Sequence, residues 1–185
     1  ETGNIIIKKT SDDATVETID ITSSQVTGTG TNQITINPTN NLASSTEYYV
    51  LIDATSFDDA SGNSYAGITD TTALSFTTAD IGAPTLDSSS PTDNATAVAV
   101  DSNIILNFSE AVDVETGNII IKKTSDDATV ETIDITSSQV TGTGTNQITI
   151  NPGSDLDSST EYYVLIDATA FDDASGNSYE GITDT

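Results

Sequence analysis

Histidine, cysteine, methionine, tryptophan and arginine are absent from this 185-residue chain, and its only basic side chains are Lys8, Lys9, Lys122 and Lys123. Each absence removes a class of chemistry. Without cysteine there is no disulfide staple and no thiolate metal site. Without histidine there is no imidazole base, proton shuttle or haem ligand. The four lysines face 29 acidic side chains, a formal net charge of -25 at pH 7. Such a chain repels nucleic acid and anionic membrane surfaces, and its natural counter-species are cations. No apolar run approaches the roughly 20 residues of a membrane span, so direct membrane insertion is not expected. No secretory signal opens the chain, which begins inside a repeat.

What the chain does have is a copy of itself. Residues 1–71 recur at 115–185 with six changes, a period of 114. The changes are Thr39 to Gly153, Asn40 to Ser154, Asn41 to Asp155, Ala43 to Asp157, Ser56 to Ala170 and Ala66 to Glu180, and none touches an Ile, Leu, Val, Phe or Tyr. A unit of roughly 100 residues is a comfortable single-domain size, larger than the roughly 20–50 residues of a solenoid repeat. The expected arrangement is beads on a string, in which copying adds length.

The composition, rich in Thr, Ser, Val, Ile, Asp, Asn and Gly, speaks for strands and against helices. Residues 83–86 and 95–100 read as a first strand interrupted by Pro84. Ile104, Leu106 and Phe108 alternate with Ile105 and Asn107 to define a second. Residues 119–123 and 130–135 give the third and fourth, Gly142 and Gly144 mark a turn, and Ile148 and Ile150 lie on the fifth. Residues 161–168 give the sixth, with Tyr162, Val164 and Ile166 on one face, and residues 73–78 the seventh, visible in the first copy alone. Seven short strands in about 100 residues predict an all-β, immunoglobulin-like seven-stranded sandwich, repeated in tandem.

Several runs carry a resemblance as well. Ser90-Pro91-Thr92-Asp93, Ile104-Ile105-Leu106-Asn107-Phe108-Ser109-Glu110, Leu156-Asp157-Ser158-Ser159-Thr160-Glu161-Tyr162 and Asp173-Ala174-Ser175-Gly176-Asn177 together resemble the bacterial Ig-like repeats of S-layer proteins and giant surface adhesins. The resemblance covers the whole period. It implies an extracellular or cell-surface, array-forming module, usually without an active site.

In a sandwich of this kind the loops after the second and sixth strands meet at one end, where the chain from the preceding domain also arrives. The acids gather there. Residues 110–115 read as one loop carrying Glu110, Asp113 and Glu115, residues 171–177 as another carrying Asp172, Asp173 and Asn177, and the incoming linker brings Asp80. Glu110 keeps the inward phase of Leu106 and Phe108, so its carboxylate is expected at the rim of the core, where an uncompensated charge is costly. Calcium resolves that conflict, since it takes six to eight oxygen ligands. The expectation is therefore calcium held by Asp80, Glu110, Asp113, Glu115, Asp172, Asp173 and Asn177. The plainer alternative is that acidic loops maintain solubility and that Asp-Ala-Ser-Gly-Asn is a good turn sequence. No segment has the EF-hand spacing.

Other features read as structural. Ser11-Asp12-Asp13 and Ser125-Asp126-Asp127 suit solvated turns. Tyr48 and Tyr162 suit a tyrosine corner. The lysine pairs suit strand ends that snorkel outward, against an isopeptide crosslink that would need a buried lysine beside an acid. No nucleophile and base, phosphate loop or pocket suggests an enzyme.

The domains are expected as residues 1–79, strands three to seven of one repeat; 80–84, a linker; and 85–185, a second repeat lacking its last strand. The functional expectation is a structural extender of a bacterial adhesin or surface filament, rigidified by calcium at its joints. The alternatives are a module that binds a carbohydrate or partner protein, and an S-layer lattice domain. The expected partners are identical repeats, head to tail, with strand exchange between chains as a way of completing the partial first domain.

Overall fold

Alternation along each strand decides where the core lies. A computed structural model describes residues 1–183 of the chain; residues 184 and 185, the end of the expected second repeat, lie outside the described residues. The chain divides into two compact units, Glu1–Asp80 and Ile81–Thr185. Neither contains a helix among the described residues, as the composition predicts.

The first unit contains β1 (Asn4–Lys9), β2 (Thr15–Asp20), β3 (Val26–Thr27), β4 (Thr35–Ile36), β5 (Glu47–Ile52) and β6 (Ser75–Thr77). They form an antiparallel sheet in the order β2-β1-β5-β6 and a separate β3-β4 pair. Ile5, Ile7, Ile19, Ile21, Tyr48, Val50 and Ile52 bury one face of the larger sheet, with Val26 and Ile36 of the smaller pair packed against it. The expected seventh strand appears here as β6, which sets Phe76 opposite Tyr48 at a ring separation of 5.9 Å.

The second unit contains β7 (Leu86–Ser90), β8 (Ile104–Val114), β9 (Asn118–Lys123), β10 (Thr129–Asp134), β11 (Val140–Thr141), β12 (Thr145–Ile150), β13 (Tyr162–Ile166) and β14 (Phe171–Asp172). One sheet runs β10-β9-β13. The other runs β11-β12-β8-β14, with β7 also paired to β8. Ile119, Ile121, Ile133 and Ile166 from the first meet Leu106, Phe108, Ile148 and Ile150 from the second in one core. This is the expected sandwich. Gly142 makes the β11 to β12 turn at φ 106°, where a Cβ would lie 2.1 Å from the Gln147 carbonyl oxygen, so no side chain is tolerated.

Three local expectations are corrected. Residues 95–100 are not a strand: Asn94 and Ala97 have φ of 57° and 58°, which breaks an extended run, and the strand is instead Leu86–Ser90, paired from Leu86↔Phe108 to Ser90↔Ile105. Residues 110–114 are not a loop. β8 continues through them because β14 pairs with its far end, Phe171↔Val114 and Asp172↔Asp113. Residues 171 and 172 are accordingly strand, in a pairing too short to leave a periodic signal. Elsewhere the local readings hold. Tyr48 and Tyr162 each accept a hydrogen bond on the phenolic oxygen from a backbone N–H five residues earlier, Ala43 at 3.0 Å and Asp157 at 2.8 Å. Asp13 and Asp127 sit in turns with φ of 60° and 58°.

Phe108 packs against two rings of the second core, 5.3 Å from that of Phe171 and 5.2 Å, edge on, from that of Tyr179. Truncating it leaves both rings facing a void. Phe108→Ala is expected to destabilise the second unit by about 3–5 kcal/mol, read as a lower denaturant midpoint for that unit.

Candidate functional site

β8 is the backbone of the acidic end. Leu106, Phe108 and Val112 point inward and are at most 2 % exposed, and Glu110 shares their phase and is half-buried. On β14 and just beyond it, Phe171 is inward, Asp172 turns outward, and Asp173 is inward again at 4 % exposure. A carboxylate oxygen of Glu110 and one of Asp173 lie within 4.8 Å of each other. Two inward-facing acids thus meet at the rim of one core.

The same alternation sends the neighbouring acids elsewhere. Asp113 and Asp172 face each other across the β8-β14 ladder on its outward side, and Asp113 accepts a hydrogen bond from the Thr143 hydroxyl at 3.1 Å. Like charges directly opposite are unfavourable. Glu115 follows the strand, is exposed, and anchors through its backbone N–H to the Ala170 carbonyl at 3.0 Å. Asn177 organises Asp173: its backbone N–H reaches Asp173 Oδ1 and its side-chain amide reaches Oδ2, each at 2.8 Å. Ser175 N–H adds a third bond at 2.8 Å. Asp80 ends the first unit and accepts the Ser44 hydroxyl at 3.0 Å. Of the residues singled out from sequence, then, Glu110 and Asp173 converge within the second unit, with Asn177 behind Asp173.

The donor set is all hard oxygen, which suits calcium or magnesium and not a soft transition metal. Lys123 is engaged elsewhere, 2.7 Å from Asp157, and Lys122 lies over the Tyr163 ring at 5.6 Å. Lys8 pairs with Asp13 at 2.9 Å. These contacts are with turn acids and tyrosine rings, as snorkelling lysines require.

The first unit holds a twin of the Asp173 turn. Asp59 accepts the Asn63 side-chain amide and the Asn63 and Ser61 backbone N–H groups, each at 2.8 Å. The Asn63 side-chain bond, then its backbone bond, hold the Asp59 carboxyl below its ordinary value, although the residue is exposed. What burial adds in the second unit comes from β8, which pairs with β14 just before Asp173.

A family model described as a bacterial Ig-like domain matches residues 2–78 and 80–184. No curated protein and no solved structure matches the chain. No helix among the described residues is long and apolar enough to cross a membrane.

A depressed folded pKa means that the Asp59 turn contributes stability above the unfolded carboxyl value, near 3.9, and loses it as the pH falls through the lower folded value. The Ser61 and Asn63 amide shifts are expected to titrate with a midpoint below that of an unstructured aspartate. Asp59→Asn should abolish that titration.

Proposed function

The chain belongs to the bacterial Ig-like domain family, and from that premise we propose that it is an extender module of a bacterial cell-surface protein whose joints are stiffened by calcium. Domains of this family are typically non-catalytic surface modules, and the role assigned is accordingly mechanical. Each copy adds length and holds whatever lies beyond it away from the cell. Near-identical copying with every large apolar residue preserved suits such a spacer, because a spacer tolerates duplication and needs only to keep folding.

The observation that carries the calcium reading is the meeting of Glu110 and Asp173, two hard-oxygen donors on inward strand phases at the edge of one core. Asp173 is already oriented by Ser175 and Asn177. Asp80 directly precedes the second unit in the chain, and the proposal gives it the third carboxylate. When bound, calcium would supply positive charge to acids held at the edge of a core. Asp80 would then tie the entering chain to β8 and the turn after β14. Asp113, Asp172 and Glu115 serve solubility in this scheme, since their phase or position directs them outward.

Calorimetric melts of the 185-residue chain with calcium and with chelator test this directly. Calcium at about a hundred times its dissociation constant stabilises by about 2.7 kcal/mol, which for a unit of this size raises Tm by about 10 °C or more. Glu110→Gln and Asp173→Asn should each remove the calcium-dependent increment, whereas Asp126→Asn, in a turn, should keep it. An unchanged melt sinks the calcium reading. A full increment in Asp80→Asn leaves calcium within the second unit and removes it from the joint.

A further inference from the structure

The sheet β10-β9-β13 buries one face in the core of the second unit, and its other face is not the polar surface that a solvated antiparallel sheet ordinarily presents. Ile119 and Ile121 are fully buried, so Asn118, Ile120 and Lys122 point outward. Strand register sorts the outward face into three rows. Lys122 lies beside Thr129 and Tyr163, and Ile120 beside Thr132 and Leu165. In the third row Asn118 lies beside Asp134 and gives its backbone N–H to Asp167 at 2.8 Å. The middle row thus sets isoleucine against leucine, both half-buried, and Val130 at the neighbouring bulge is 41 % exposed.

The first unit repeats this face residue for residue. β1 sets Ile6 against Leu51 of β5, Lys8 against Tyr49, and Asn4 against Asp20 of β2. Val16 at the corresponding bulge is 42 % exposed, and none of the six changes between the copies falls on the face. Charge is unevenly placed along it. The first row holds a lysine, the middle row no charge, and the third row two carboxylates, Asp134 and Asp167. A net charge of -25 makes two copies of the chain repel in most orientations. This face allows one in which opposite charges meet.

We propose that this outer face is a lateral contact between copies of the chain. Two faces pack about a two-fold axis that lies between the sheets and across the strands, so that β9 of one copy runs antiparallel over β9 of the other. Such an axis keeps Ile120 and Leu165 at the centre and sets each Lys122 over the third row of the other copy, between Asp134 and Asp167. The contact is isologous, so each charge pairing forms twice. An axis along the strands would instead stack lysine on lysine and carboxylate on carboxylate, and charge therefore selects the antiparallel register. Because β1 carries the same rows, it fits β9 of another copy as well as β9 does. Three strands about 4.8 Å apart and five residues of about 3.3 Å cover roughly 15 by 17 Å, well below the roughly 800 Å² per partner of a stable interface. A single contact is therefore weak, and recurrence at a period of 114 gives an array many of them. The contact lies on the side of each unit, apart from head-to-tail succession, and is independent of calcium.

Sedimentation equilibrium of the 185-residue chain, with chelator present and over a concentration series reaching the millimolar range, tests the contact. The chain itself is expected to self-associate weakly and reversibly. Lys8→Glu with Lys122→Glu should weaken the association at least tenfold. Asp20→Lys with Asp134→Lys should weaken it too, although this variant is less negative and general repulsion alone predicts the opposite. An equimolar mixture of the two variants should associate more tightly than either alone, because the altered rows of one then meet opposite charge on the other. Circular dichroism checks folding, and if the aspartate variant unfolds, Asn4→Lys with Asn118→Lys in the same row takes its place. A chain that stays monomeric, lysine variants that associate undiminished, third-row variants that associate more strongly, or a mixture that gains nothing would each overturn the proposal.

Discussion

Packing of Phe108 against both Phe171 and Tyr179 is the contact on which the second unit depends, because it locks β8 into both the sheet and the core at once. β8 pairs with β12, β7 and β14 along different parts of its length. Its inward residues close the sandwich over Ile119, Ile121 and Ile133. In the first unit nearly the same sequence keeps its own sheet and local turns, and Tyr65 is 43 % exposed where its twin Tyr179 is 5 % exposed. The two copies thus separate what a segment does by itself from what it does under cover. Turns, strand pairing and the tyrosine corner are local and appear in both. Burial of Phe171 and of Asp173 is not local, and it appears once.

Charge follows the same division. With 29 acids and four lysines, ion pairing cannot organise this surface, and the acids are satisfied mainly by nearby backbone and hydroxyl groups. Asp20 and Asp134 each bond Thr22 and Thr136 respectively, first through the hydroxyl and then the backbone N–H, which lowers both carboxyls from their ordinary value. Glu17 is lowered by Thr39 and Gln25 in the same manner. These bonds lie on the exposed surface and fix turn geometry. Glu110 and Asp173 differ because strand phase turns them toward the core.

Much of the fold was legible from particular residues. Ile119 and Ile121, Ile148 and Ile150, and Leu106 with Phe108 recur at the spacing of a half-buried strand, and each is buried as that spacing requires. Residues 95–100 misled because Ala and Val alternate there with no partner strand and with left-handed residues at Asn94 and Ala97. At the site, the inward phase of Glu110 could be extrapolated from Phe108. Reading residues 110–115 and 171–177 as loops discarded that alternation for the residues beside it, so Asp113 and Asp172 were grouped with Glu110 and Asp173. A signal was available: Val112 and Val114 continue the apolar phase of β8.

The sequence by itself determined the strand faces, the turn positions, the exclusion of thiol and imidazole chemistry, and the period at which all of these recur, because each depends on residue type and near neighbours. Tertiary structure decided which acids meet, how far β8 extends, and which residues bury Phe171 and Tyr179. Those outcomes depend on a strand distant in sequence. Cross-strand pairing sets β14 beside the end of β8, and Phe108 of β8 packs against Phe171 and Tyr179, which lie far from it in sequence.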